Sequence, residues 1–194
     1  PEPHKAAKKA LEYGADSITI HLREDRRHIN DNDLKLISSI KSIPLNLEMA
    51  SNYEMLKIAI KYKPNFVCIV PEKRNEITTE GGLNLNRNKN KIKNIIKKLN
   101  HSNIRTSLFI NPSILDIKIS KEIKADCVEI HTGRVANLVK LNKSYSNELK
   151  KISKCSKLAN KFGIEVHAGH GLDYKTTKIL SKIKEITEFN IGHY

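Results

Sequence analysis

The chain has 194 residues, 39% hydrophobic and 29% charged, with 35 Lys and Arg against 21 Asp and Glu for a formal net charge of +14. This is enough for one domain with a real core, residues 1–194, and short of the roughly 250 residues typical of a full (β/α)8 barrel. No apolar run approaches the roughly 20 residues of a membrane-spanning helix, no signal pattern opens the chain, and three cysteines at no metal-type spacing argue against a disulfide framework, so a cytoplasmic location is expected.

Residues 3–13 pattern as a helix, with Ala6, Ala7, Ala10 and Leu11 on one face and Gly14 as its cap. A strand follows from Asp16 to Leu22, then a helix capped by Asn30 or Asp31 and running to about Lys41. Pro44 to Met49 is a strand, residues 52–62 a helix, and Phe66 to Val70 a nearly continuous apolar run of the kind found in parallel sheets. A Gly-bearing loop covers Pro71 to Gly82. Helix 88–100, strand Arg105 to Ile110, helix 113–123 and strand Asp126 to His131 come next. Thr132 to Lys143 reads as a loop, or a loop with a short helix. A long helix from Ser144 to Phe162, a strand from Ile164 to Ala168, a helix over 173–184 and a strand from Glu188 to Ile191 complete the chain.

Alternating strands and helices at this spacing mean parallel β/α units. The expected fold class is α/β, a (β/α)8 TIM barrel incomplete in this chain, with seven of eight strands. The register, which starts on a helix and stops on a strand, predicts a fragment lacking a first strand and a last helix, inactive and poorly folded alone because its sheet edges are unpaired. No Gly-x-Gly-x-x-Gly loop follows a strand, which argues against an open dinucleotide-binding sheet.

Strand side chains alternate between faces. If Ile18, Ile20 and Leu22 meet the helices, then Thr19, His21 and Arg23 face the barrel axis. The same alternation sends Asn46, Glu48, Glu129, His131, Glu165 and His167 inward. Polar groups on several strands, all near the carboxyl ends, are hard to explain as packing and fit a site where burial tunes acids and bases. Taken singly, His21 reads as an interior hydrogen-bonded histidine, Glu48 as a partner for Arg23, and Arg26-Arg27 as a solvated turn. Ala168-Gly-His-Gly-Leu172 and Asn190-Ile-Gly-His193 could bring backbone N–H groups to phosphate. The lysines are spread over most helices and no aromatic-studded basic motif accompanies them, so the charge reads as a solvated surface rather than a nucleic-acid face.

Seven blocks in order resemble the pyridoxine 5′-phosphate synthase family: His21-Leu-Arg-Glu-Asp-Arg-Arg-His28, Asn46-Leu-Glu-Met-Ala50, Val70-Pro-Glu-Lys-Arg74, Thr78-Thr-Glu-Gly-Gly82, Glu129-Ile-His-Thr-Gly133, Ala168-Gly-His-Gly171 and Asn190-Ile-Gly-His193. The resemblance implies condensation of 1-deoxy-D-xylulose 5-phosphate with 3-amino-2-oxopropyl phosphate to pyridoxine 5′-phosphate, phosphate and water. It implies no metal or organic cofactor, phosphorylated small-molecule substrates, no nucleic-acid or membrane partner, and a homo-oligomer. By the same resemblance His21 and Glu48 are proton acceptors, His170 a proton donor, and Glu129 the group that stabilises charge in the transition state. Arg23, His28 and Thr78 resemble contacts to the deoxyxylulose phosphate; Gly171, Gly192 and His193 resemble contacts to the amino ketone phosphate. The family's first strand, with its Asn and Asp-His, has no counterpart here, and His167 stands where the family usually shows Asn. The alternative reading is a metal-dependent TIM-barrel hydrolase or aldolase using His21, His131, His167 and His170, but the His-x-His and helix-borne motifs of such sites are missing.

Overall fold

A computed structural model describes residues 2–73, 76–78 and 81–192. Among these, eight helices alternate with seven strands: α1 (Pro3–Glu12), β1 (Ile18–His21), α2 (Asp31–Ser39), β2 (Leu45–Met49), α3 (Tyr53–Tyr62), β3 (Phe66–Ile69), α4 (Leu85–His101), β4 (Arg105–Ile110), α5 (Ile114–Glu122), β5 (Cys127–His131), α6 (Gly133–Lys140), α7 (Ser146–Lys161), β6 (Glu165–Gly169), α8 (Tyr174–Leu180) and β7 (Ile186–Asn190). All neighbouring strands pair in parallel, in the order β1-β2-β3-β4-β5-β6-β7. This is an incomplete TIM barrel, seven strands curled with helices outside.

The alternation in sequence produces the two faces. Leu45, Leu47 and Met49 of β2, Val67 and Ile69 of β3, and Val128 and Ile130 of β5 are buried against the helices. Opposing them are Leu34 and Ile37 of α2, Met55 and Leu56 of α3, Ile92, Ile96 and Leu99 of α4, and Ile152 and Ala159 of α7. Each of these larger side chains contributes about 1.5–3 kcal/mol by leaving water.

Short polar side chains set where several helices begin. Asn30 accepts from the backbone N–H groups of Asn32 and Asp33, and Asp33 returns a bond to the Asn30 N–H. Asp173 caps α8 with the same reciprocal pair, and Asn52 and Ser113 cap α3 and α5 by accepting from the Met55 and Asp116 N–H groups alone, each cap being typically about 1 kcal/mol.

Several boundaries differ from the sequence reading. Helix α4 starts at Leu85 rather than 88, because the Asn84 side chain accepts from the Arg87 N–H and Leu85 is fully buried. The Thr132–Lys143 stretch takes the second of its two readings, a loop with a short helix, α6, on which Val135 and Val139 are buried. Helix α8 stops at Leu180, and β7 runs from Ile186 to Asn190 instead of 188–191. Its pairing with β6 shifts between Val166 and His167, so that His167 lies opposite Glu188 and Gly169 opposite Asn190. Such an irregularity re-aims side chains locally.

Candidate active site

His21 is the last residue of β1 and pairs in register with Glu48 of β2. Its Nδ1 lies 3.6 Å from Glu48 Oε2, and its Nε2 forms a 3.1 Å hydrogen bond with Glu72 Oε1 in the loop after β3. Burial raises the Glu48 carboxyl above the usual carboxylate range, against the pull of the His21 ring. The sequence offered Arg23 as a partner for Glu48; instead Arg23 pairs with Asp25 at 3.4 Å, one step further along the loop.

Glu129, in the middle of β5, is 2% exposed. Its Oε2 accepts from Asn190 Nδ2 at 2.8 Å and from the Cys68 thiol at 3.7 Å. Burial first, and then the negative charge of Glu48, push its pKa up to about 8, although the bonds from Cys68 and Asn190 pull the other way. The Cys68 thiol is itself raised well above its ordinary value by burial and by Glu129, so it stays neutral and donates. Diagonally across on β6, opposite His131, stands Gly169, where any Cβ would collide with the Glu129 carboxylate and crowd Asn190. In the structure Gly169 also leaves room for the Glu129 carboxylate.

A third group surrounds His170, exposed just past β6 with a left-handed backbone at φ 79°. Its ring stacks on His131 with centroids 4.6 Å apart and planes inclined by 25°, and Phe109 borders both rings. Burial, then the neighbouring His170, lower the His131 pKa to about 4, so this imidazole is neutral near pH 7. The Gly133 N–H donates to His131 Nδ1 at 3.3 Å. A methyl at Gly133 would sit 2.7 Å from both imidazoles, so the stack requires glycine there.

The carboxyl ends of the strands therefore gather His21, Glu48, Glu129 and His170, with Glu48 near enough to Glu129 to shift its titration. Thr78 lies on the β4 side of this rim, accepting a 2.5 Å bond from Asn111 Nδ2 while Asn111 Oδ1 accepts from the Gly82 N–H. Arg23 and His28 belong to the loop after β1, His28 exposed with φ 73°. Gly171 has φ 74°, and Gly192 is exposed beyond β7. His193 lies outside the described residues, as do Arg74, Thr79 and Glu80 of the quoted blocks. Glu72, Cys68 and Asn111 carry no assigned role in the sequence reading, and Asn190 enters it only as the start of the Asn190-Ile-Gly-His193 loop. Asn111 directly follows β4 and Glu72 comes three residues after the end of β3, and that position is the signal available.

Two further features bear on a metal centre. The four histidines of the metal reading are not brought together as a ligand set. His167 bonds Glu165 at 2.8 Å in the lower interior, beside Phe66. Among the described residues Cys127, Glu165 and His167 bring donor atoms within 4.8 Å of one another. Arg105 is seated there, donating to Glu165 at 2.7 Å and to Cys127 at 3.5 Å, and its guanidinium already supplies the cation. Chemically, the upper rim offers two carboxyls held toward their protonated forms, a carboxylate-bound imidazole and an exposed imidazole, a set suited to repeated proton transfer near neutral pH.

The family described as Pyridoxal phosphate biosynthesis protein PdxJ matches residues 1–194. The chain is 64% identical to the pyridoxine 5′-phosphate synthase of Pelagibacter ubique over 194 residues, all of this chain and 81% of that protein. It is 48% identical to the synthase of Zymomonas mobilis, covering 75% of it, and 50% identical to that of a Sulfurihydrogenibium species, covering 80%. A crystal structure of phosphoribosyl anthranilate isomerase from Thermus thermophilus superposes with a TM-score of 0.62 at 9% identity, over 97% of this chain and 82% of that one. That likeness is one of fold. No described helix is long and apolar enough to cross a membrane.

Proposed function

The chain belongs to the PdxJ family of pyridoxal phosphate biosynthesis proteins, and on that premise we propose that it is a pyridoxine 5′-phosphate synthase. It condenses 1-deoxy-D-xylulose 5-phosphate with 3-amino-2-oxopropyl phosphate, releasing phosphate and water. The observation that carries this reading is the match over the whole chain, joined to the convergence of His21, Glu48 and Glu129 at one end of the sheet.

Forming the C–N bond between the amine and the ketone, expelling water, and closing the ring each require a proton to be taken from one atom and given to another. His21 and Glu48 take protons. His170, exposed at the mouth, gives one to a departing oxygen. Glu129 carries its own proton near neutral pH and donates a hydrogen bond to negative charge developing on a substrate oxygen, in a dry setting where such a bond is worth most. Arg23, His28 and Thr78 hold the deoxyxylulose phosphate; Gly171, Gly192 and His193 hold the amino ketone phosphate. The assembly is a cytoplasmic homo-oligomer, consistent with three free cysteines and with the family resemblance.

The test uses the completed protein, meaning this chain joined to the segments of the Pelagibacter relative that it does not cover. Supplied with both phosphorylated ketones, it yields a near-ultraviolet-absorbing hydroxypyridine. His21→Ala or Glu48→Gln lowers turnover about 10²–10⁴-fold, as for lost acid–base groups. No hydroxypyridine from the unmodified protein sinks the assignment, and undiminished rates in the variants remove those two residues from the mechanism.

A further inference from the structure

His21 is held at both ring nitrogens, and the two holds are unequal. The Nε2 contact to Glu72 Oε1, at 3.1 Å, is a hydrogen bond; the Nδ1 contact to Glu48 Oε2, at 3.6 Å, is too long to be one. The Glu72 side chain is 6% exposed, and its other oxygen accepts from the Glu24 N–H at 3.0 Å. The backbone around Glu72 is fixed in turn. The N–H groups of Glu72 and Lys73 both reach Glu76 Oε2 at 3.3 Å, while Glu76 Oε1 accepts from Ser51 Oγ at 3.1 Å and Lys91 Nζ at 3.3 Å. One buried carboxylate thus moulds the loop, and a second, delivered by that loop, meets the imidazole.

Among the described residues, the charged groups against the His21 ring are Glu48 from β2 and Glu72 from the loop after β3, with Lys73 next to Glu72 in sequence and Arg23 and Glu24 following on its own loop. Lys73 is taken up by Glu24 at 3.3 Å and Arg23 by Asp25. That leaves the Glu72 carboxylate as the only one of these within hydrogen-bond distance of the ring.

We propose that Glu72 is a positioning residue for the reaction: it accepts the Nε2–H of His21 and so leaves Nδ1, the nitrogen turned toward Glu48, as the atom that takes up protons. The tautomer of a histidine base is set by the bond its other nitrogen makes, and a carboxylate in that place orients the ring and steadies the charged imidazole. The step is a proton transfer from substrate to Nδ1, with Nε2–H retained throughout. This rests on the synthase reading only for its kinetic consequence; the tautomer itself does not depend on it.

The experiment has two arms on the completed protein. Long-range ¹⁵N–¹H correlation of the His21 ring reports which nitrogen carries the hydrogen. Wild type shows the Nε2–H form at neutral pH, and Glu72→Ala shows a mixture or the Nδ1–H form. The near-isosteric Glu72→Gln keeps one acceptor for the ring and recovers much of the Nε2–H signature, so a folding defect in the alanine variant is not decisive. In turnover, Glu72→Ala lowers kcat by about 10–10²-fold with KM changed less than about threefold, and Glu72→Gln restores part of it. A residue that merely anchored the loop would change melting temperature and leave the tautomer alone. An unaltered Nε2–H signature in Glu72→Ala overturns the proposal, even if the protein makes no hydroxypyridine; an altered signature without turnover in wild type overturns the synthase reading instead.

Discussion

Glu129 illustrates how much a single position draws from distant parts of the chain. Alternation along β5 turns it inward, and that much is legible in Cys127-Val-Glu-Ile-His131. Its surroundings are not, because Cys68 and Asn190 each lie 61 residues away and Gly169 contributes by lacking a side chain. Burial, and then the charge of Glu48, raises its pKa from 4.5 to about 8, against the bonds from Cys68 and Asn190. A carboxyl raised in the folded state contributes stability fully present below its unfolded pKa and lost as pH rises through the folded one. Asp116, raised to about 6 by burial, acts in the same direction and is spent by that pH. His131, lowered from 6.5 to about 4, acts oppositely, adding stability as pH rises to 6.5. The interval from 6.5 to 8 therefore isolates Glu129 among these three. Urea unfolding across it is expected to show stability falling, by at most about 1.4 kcal/mol per pH unit, and Glu129→Gln to remove that fall. A slope unchanged in the variant would mean that Glu129 titrates normally.

The strands were readable because parallel strands covered by helices alternate or run apolar; each of the seven appears in its expected place in chain order, with β7 alone starting two residues early. Helix ends were read less well. Asn84 starts α4 by a side-chain bond to Arg87 N–H, and in a stretch as rich in Asn as 84–94 no single residue announces that role. The loop after β1 was harder still. Read as a solvated basic turn, it is braced by Arg26, whose Nε bonds Asp31 at 2.8 Å at the start of α2 and whose Nη2 bonds Glu54 at 2.6 Å in α3. Left-handed backbone at Arg26 and His28 makes the chain double back so that these contacts form. Exposed ion pairs contribute little to global stability, typically about 0–1 kcal/mol. Arg26→Ala is accordingly expected to leave the melting temperature within a few degrees while speeding amide hydrogen exchange over residues 23–30. It should also raise KM for the deoxyxylulose phosphate, since Arg23 and His28 ride on that loop. Unchanged exchange would show the loop to be held by its backbone alone.

Across the whole molecule, the curl of the sheet brings its first and last strands within side-chain reach. Thr19 of β1 donates to Asn190 of β7 at 3.1 Å and accepts from Asn46 of β2 at 3.3 Å, although β1 and β7 do not pair along their backbones among the described residues. The same Asn190 holds Glu129, so the closure of the sheet and the site share one side chain. Each of the two outer strands keeps one row of backbone groups unpaired, an arrangement that natural sheets cover or close. An eighth strand in that place would add on the order of eight ladder hydrogen bonds, each worth about 0.5–1.5 kcal/mol net. For a domain of this size 1 kcal/mol moves the melting temperature by about 2–4 °C. The 194-residue chain alone is therefore expected to melt at least about 10 °C below the completed protein in a calorimetric scan, and to turn over more slowly because Asn190 and Thr19 are free to part. Equal melting temperatures would mean that the Thr19–Asn190 contact already closes the barrel as firmly as a paired strand.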